Sequence, residues 1–397
     1  MAASEQPRFL LLLPPPPSPP DVAALKAAFA DTISQVLKEV ATHSSESSSA
    51  AALEMALACP HLVDQQRTPR STLYAETQSL LAAVYKLICT VAAKDDVNIE
   101  DADGVDVRLL LVSWSGAQLH DESSATSEPP YGPVYAFGVE SESGEAMVKA
   151  FIAAKGSGEQ VTRVQSGPVI NTGASAADGG NASPTRSDTV ALHPHVAVGG
   201  TFDHIHIGHK LLLTMTIFAV DEGNTTGEGH RSATIGITGD QLLKNKKHAE
   251  VLESWDGRYK SVMTFIDAIV DFSPQSSSTQ RHVSARDDPG PNGKSMDVYY
   301  SNDLLVKCTE IQDAFGPTIT EEHISALIIS AETRSGGKAI NDKRTEKDWK
   351  PLDVFEVDVL DAEDDDSEDR QVKEGFDGKL SSTTIREKLA KKRQSSL

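Results

Sequence analysis

In the second half of this chain, short apolar runs alternate with longer runs whose apolar residues recur every three or four positions. His195–Val198, Ala233–Thr238, Val298–Val306, Ala326–Ser330 and Val354–Leu360 are the short ones. Lys210–Val220 and Tyr259–Val270 read as helices, the second with Val262, Phe265, Ile266 and Ile269 on one side. Strands laid side by side in parallel need a crossover to return the chain, and a helix supplies it. The alternation therefore predicts an α/β fold with a doubly wound, Rossmann-like parallel sheet. Ligands in such sheets sit outside the carboxyl ends of the strands.

The first half predicts a smaller α/β unit. Arg8–Leu13 reads as a strand. Asp21 stands at an N-cap position before Val22, Leu25, Phe29, Ile33, Val36 and Val40, one face of a helix. Leu80, Leu81, Val84, Leu87, Ile88 and Val91 mark a second helix, and Val105–Trp114 and Pro133–Val139 read as strands. His61 and His120 stand alone, and no catalytic constellation surrounds them. The Pro14–Pro20 tract reads as a stiff loop, with docking to a partner as the other possibility. Asn171–Asp188 consists of small and polar residues that cannot bury enough apolar surface to order a core, which predicts a flexible linker. The division is thus an N-terminal domain over 1–170, a linker over 171–190 and a second domain over 191–397. Pro274–Ser295 and the acidic Asp361–Asp369 run predict insertions near 274–295 and 361–375.

A net charge of −21 over 397 residues argues against a general nucleic-acid surface. No apolar run approaches a membrane span, and no secretory signal pattern is evident, so no membrane partner and a cytoplasmic location are expected. Cys59, Cys89 and Cys308 are scattered, which suggests neither a disulfide framework nor a zinc site. An acidic chain that binds an anion has to gather its positive groups locally.

Such a gathering starts at Gly199-Gly200-Thr201-Phe202-Asp203-His204-Ile205-His206-Ile207-Gly208-His209, which follows a strand and opens a helix. Two glycines permit a tight turn and close approach of a bulky ligand. His206 and His209 are three apart and share a helix face. The free N–H groups and dipole of a first turn favour phosphate. A second cluster, Gly239-Asp240-Gln241-Leu242-Leu243-Lys244-Asn245-Lys246-Lys247, follows the strand ending at Thr238. Near the C-terminus, Lys379-Leu380-Ser381-Ser382-Thr383-Thr384-Ile385-Arg386 leads into a helix, and Thr384 with Glu387 fits a capping box.

The eleven residues from Gly199 to His209 resemble the H-x-G-H signature of the nucleotidyltransferase superfamily in its G-G-T-F-D-x-x-H-x-G-H form. The C-terminal segment resembles that superfamily's I-S-S-T-x-I-R element, with Leu380 in place of the usual Ile. The lysine segment resembles the D-x-x-L-L-x-x-K stretch of the eukaryotic phosphopantetheine adenylyltransferases. Ile329-Ser330-Ala331-Glu332-Thr333-Arg334-Ser335-Gly336-Gly337-Lys338-Ala339-Ile340-Asn341 resembles their V-S-x-E-T-x-x-G-G-x-x-I-N element, with Arg334 offset by one. The resemblance covers about His195–Lys392.

It implies direct in-line transfer of AMP from ATP to 4′-phosphopantetheine, releasing pyrophosphate and forming dephospho-coenzyme A. It implies catalytic roles for Thr201, His206, His209 and Lys244, with Lys246 as the alternative lysine or a phosphate contact. Gly199, Gly200, Phe202, Gly208, Ser381, Ser382, Thr383 and Arg386 would bind the nucleotide, and Arg334 a phosphate or the acceptor. Mg2+ is expected to accompany ATP without a protein-built metal site. No G-x-x-x-x-G-K-[ST] segment occurs, so only the adenylyl step is expected, without a dephospho-coenzyme A kinase. The rivals are a related transferase that uses CTP or another acceptor, and a non-catalytic nucleotide-binding scaffold.

Overall fold

The computed structural model describes residues 6–18, 20–46, 50–100, 104–115, 135–155, 160–167, 190–222, 230–270, 282–287, 292–358 and 382–395. Its first unit comprises β1 (Arg8–Leu13), α1 (Val22–Glu46), β2 (Ala52–Ala58), α2 (Arg70–Lys94), β3 (Asp106–Val112), β4 (Tyr135–Glu140), α3 (Glu142–Lys155) and β5 (Val161–Gln165). The strands form a five-stranded sheet in the order β3-β2-β1-β4-β5, every neighbouring pair parallel. Side chains alternate across a strand. Phe9, Leu11, Leu13, Leu53, Met55 and Leu57 accordingly share one cluster with residues of α1 and α2. Leu10, Leu12, Ala56 and Ala58 face the other way, against Met147 and Val148 of α3. Asp21 caps α1 as expected, its carboxylate accepting the Ala24 N–H at 2.7 Å.

The second unit comprises β6 (His195–Gly200), α4 (Ile207–Phe218), β7 (Arg231–Thr238), α5 (Trp255–Val270), β8 (His282–Arg286), β9 (Ser295–Tyr299), β10 (Leu304–Ile311), β11 (Ala326–Ser330), α6 (Arg334–Glu346), β12 (Asp353–Val357) and α7 (Ser382–Ser395). Its seven-stranded sheet has the order β12-β11-β6-β7-β10-β9-β8. The run from β12 to β10 is parallel, and β9 and β8 add an antiparallel hairpin at one edge. Counted along the chain, the parallel strands lie third-second-first-fourth-fifth, the same winding as in the first sheet. This is the doubly wound α/β architecture that the alternating pattern predicts.

Two expectations are corrected here. Val298–Val306 is not one strand. Ser301, Asn302 and Asp303 reverse the chain between β9 and β10, with Asp303 in the left-handed region at φ 60°. Three consecutive polar, turn-favouring residues outweigh the β-branched residues on either side. Nor is 274–295 wholly an insertion without structure, because His282–Arg286 forms the edge strand β8. An edge strand pairs on one side only, so it tolerates a sequence with few apolar residues. The linker over 171–190, except its last residue, lies outside the described residues, as do His120 and the acidic Asp361–Asp369 run.

The two sheets do not keep separate interiors. α2 packs against α4, and one apolar cluster runs from Leu81, Val84 and Ile88 to Leu211, Met215 and Ile235. Tyr74 of α2 meets Phe355 of β12 with ring centres 4.9 Å apart. The Arg70 N–H donates to the Asp221 carboxylate at 2.7 Å. Among the described residues no helix is long and apolar enough to cross a membrane.

Candidate active site

The strand β6, central among the five parallel strands, ends in Gly199-Gly200, and six residues, 201 to 206, lead from it to α4. Within this connection Phe202 (φ 52°) and His204 (φ 48°) both occupy the left-handed region. Each such L-residue costs roughly 1–2 kcal/mol, so the surroundings have to impose the conformation. Asp203, between them, has no solvent contact. Its carboxylate accepts the Glu253 N–H at 2.9 Å and the Arg386 guanidinium at 2.7 Å. His204 donates its N–H to the Glu253 carboxylate at 2.7 Å, and its Nε2 lies 2.9 Å from the Val251 carbonyl. The Phe202 ring is fully buried, 5.5 Å from that of His209. A Cβ on Gly200 would come within 2.9 Å of this ring, which explains the glycine. A Cβ on Gly199 would meet nothing within 4 Å, so the space above that position is open.

His206 is the N-cap residue of α4, in extended backbone at φ −122°, rather than a member of its first helical turn. Its ring still lies against that of His209, with centres 3.9 Å apart. A Cβ on Gly208 would stand 3.1 Å from the His206 ring, so glycine leaves that ring its place. Burial lowers the His206 pKa from its ordinary value to about 4, helped by the nearby Lys210 charge and opposed by Asp203. Burial also holds His209 well below its ordinary value, and His206 and His204 push in the same direction. Both rings are therefore neutral at pH 7. The Nδ1 atoms of both are buried without a hydrogen-bond partner. No side chain caps the first turn of α4. A helix start with free N–H groups and two unsatisfied imidazoles is suited to an anion.

The two distant motifs meet here. Arg386 of α7 is buried, and besides Asp203 it reaches the Lys247 carbonyl at 3.0 Å and the Thr383 hydroxyl at 3.1 Å. One arginine thus joins the first motif, the lysine segment and the C-terminal helix. α7 begins at Ser382, so Thr384 lies inside its first turn rather than at the N-cap position the sequence suggested. The Thr383–Arg386 contact, three residues apart, belongs to that turn. Ser381 lies outside the described residues. Lys244 ends the short 3-10 turn Asp240–Leu243, and Lys244 and Lys246 are exposed. Arg334 opens α6 beyond the carboxyl end of β11. Its guanidinium is paired with Glu356 of β12, two strands away from β6.

Arg258 escaped the reading of the sequence. It is completely buried in α5 and donates to the Thr201 carbonyl at 2.8 Å, the Asp240 carboxylate at 2.6 Å and the Glu253 carbonyl at 3.1 Å. It therefore fixes the backbone of Thr201 and ties the lysine segment to it. The signal was present: Arg258 stands four residues before Val262, on the apolar stripe of the helix. Asp203, His204 and Glu253 bring three ligand-type atoms within 4.8 Å of one another. The hydrogen bonds above and the Arg386 charge engage these groups, a poor setting for a cation.

Comparison with known proteins divides the chain as the fold does. Residues 1–170 match a domain of unknown function (DUF8446), and residues 197–388 match the family described as cytidylyltransferase-like. An uncharacterised protein of Schizosaccharomyces pombe is 32% identical over 49% of this chain and 48% of its own length. A phosphopantetheine adenylyltransferase of Saccharomyces cerevisiae is 34% identical over 49% of this chain and 48% of its own. One from Thermococcus kodakarensis is 28% identical over 42% of this chain and 74% of its own. The chain spans about half the length of the two fungal relatives it matches.

Proposed function

We propose that this protein is a nucleotidyltransferase that moves AMP from ATP to 4′-phosphopantetheine, giving dephospho-coenzyme A and pyrophosphate. One observation carries the reading: two neutral, stacked imidazoles with unsatisfied Nδ1 atoms stand at the uncapped start of α4, at the carboxyl end of the central strand. The relatives named phosphopantetheine adenylyltransferase point to the acceptor.

In the proposed reaction an oxygen of the acceptor's 4′-phosphate attacks the α-phosphorus of ATP. The bond from that phosphorus to the bridging oxygen of the β-phosphate breaks, and pyrophosphate leaves with the electron pair. The chain supplies position and charge stabilisation, which such transfers need more than covalent participation. His206, His209 and the first-turn N–H groups would donate to the triphosphate. Thr201, its backbone held by Arg258, would orient the acceptor phosphate. Lys244, with Lys246 as the alternative, would meet charge developing on the phosphates. Gly199, Gly200, Phe202 and Gly208 shape the space, and Ser381, Ser382 and Thr383 would meet the β- and γ-phosphates. Arg386 has three N–H contacts already, so its first task is to hold α7 and the lysine segment against the histidine loop. Arg334 would contact substrate only by exchanging Glu356. Mg2+ would arrive with ATP and neutralise part of its triphosphate charge.

The test is to incubate the protein with ATP or CTP, each with and without 4′-phosphopantetheine, and to measure pyrophosphate. Release with ATP that depends on the acceptor supports the reading. Turnover with CTP alone would favour a cytidylyltransferase, and nucleotide binding without turnover a scaffold.

A further inference from the structure

The first sheet carries a row of alternating charges that ends on the catalytic helix. Arg8, at the start of β1, donates to both oxygens of Glu54 on β2 at 2.9 Å. Arg108 on β3, the register partner of Glu54, approaches the same carboxylate at 3.5 Å. Arg108 also reaches Asp106 at 2.6 Å. The other oxygen of Asp106 accepts from Lys210 of α4 at 2.6 Å, and Lys210 donates to the Val107 carbonyl at 2.8 Å. Glu54, Arg108 and Lys210 are all at least nine-tenths buried. Burial would raise the Asp106 carboxyl, but Lys210 and Arg108 outweigh it and bring it to about 2.

Lys210 is the residue after His209, and its own N–H donates to the His206 carbonyl at 3.0 Å, closing the first turn of α4. A buried lysine requires a partner, and the carboxylate and carbonyl that satisfy this one both belong to the first unit. The start of α4 is therefore held from two sides. We propose that the N-terminal domain is a brace for the active site, with Lys210 and Asp106 as positioning residues that set the first turn of α4 so that His206 and His209 face the triphosphate. Its loop after β1 fits a supporting role. That loop begins with four prolines, Pro14–Pro17, which have no N–H to offer a phosphate where α4's connection offers several. Lys388, two residues after Arg386, adds an exposed tether to Glu100 at 2.9 Å.

This inference rests on the transferase reading, but its test separates the two. The full-length chain is compared with Asp106→Asn, Lys210→Met and Lys210→Arg by thermal unfolding, steady-state kinetics and NMR titration of the histidine rings. Displacing the reacting geometry by a fraction of an ångström should lower kcat on the order of 10-fold or more, with KM for ATP within roughly threefold, in Asp106→Asn and Lys210→Met. Lys210→Arg should recover most of the loss. The His206 titration adds a signature that packing alone would not produce. The charged or titratable groups that face this ring are Lys210, Asp203 with its Arg386, His204 and His209. Removing the Lys210 charge should raise the His206 pKa, whereas removing the compensating Asp106 charge should lower it. An unchanged kcat together with an unmoved titration in folded variants overturns the brace. Should the unaltered chain release no pyrophosphate with any nucleotide, the transferase reading falls, and the titration still decides the brace. Should Lys210→Met not fold, Asp106→Asn, which keeps an acceptor in place, carries the test alone.

Discussion

Replacing Arg386 by methionine should destabilise the protein through a carboxylate 183 residues away in sequence. Arg386→Met leaves Asp203 with no solvent contact and without its guanidinium partner. Breaking a buried pair from one side costs about 3–5 kcal/mol, because the remaining charge stays buried. Asp203 keeps the Glu253 N–H, which places the expected loss near the lower end, about 3 kcal/mol. Converting Asp203 to asparagine in the same chain removes the stranded charge, so the double variant should lose less than the sum of the singles by about 2 kcal/mol. Urea unfolding followed by fluorescence measures each corner of the cycle as a shift in midpoint. Additive singles of under about 1 kcal/mol each would refute the reasoning, because α7 would then not be held on the histidine loop by this pair.

Three further outcomes are expected. The lowered His206 pKa makes stability pH-dependent: the folded chain binds fewer protons than the unfolded one between about 4 and 6.5, so stability rises with pH across that window and falls as pH drops. This one group should account for about 2 kcal/mol lost between pH 7 and pH 5, read from urea midpoints, and a flat profile would contradict it. Gly199→Ala should unfold at the same temperature as the unaltered chain, since its Cβ meets no protein atom, yet impair turnover or ATP affinity, and a fully active variant would move the site elsewhere. Arg258→Met should lose about 1–3 kcal/mol of stability in the same urea assay by taking the donor from the Thr201 and Glu253 carbonyls, while the half-exposed Asp240 carboxylate turns to water, and a loss below about 0.5 kcal/mol would remove Arg258 from the support of the loop.

The fold was legible where local pattern and tertiary demand agree. β6 and β11 are buried on both faces along most of their length, so their sequences are short apolar runs with little ambiguity, and β7 keeps Ala233, Ile235 and Ile237 buried among its polar residues. The Asp21 cap was visible because its contact is only three residues long. What escaped were features decided by distant partners. β8 is five residues long with only two apolar side chains, Val283 and Ala285, and becomes a strand because β9 lies beside it. Ser301-Asn302-Asp303 was absorbed into a strand because flanking Val and Tyr residues outvoted a turn in a simple reading. In the site, the glycines and histidines could be read from their spacing, but Asp203 looked like one letter of a motif until Arg386 reached it from the far end of the chain. Lys210 looked like an ordinary helical lysine. Only the arrival of β3 from the other half of the protein gives it a partner and a task.

The most direct test of the whole account is turnover by His209→Ala. With ATP and 4′-phosphopantetheine supplied, the unaltered chain should release pyrophosphate, and the variant should be slower by roughly 10²–10³-fold while unfolding at a similar temperature. Equal rates from the two proteins would contradict the claim that the stacked imidazoles at the start of α4 are where the reaction takes place.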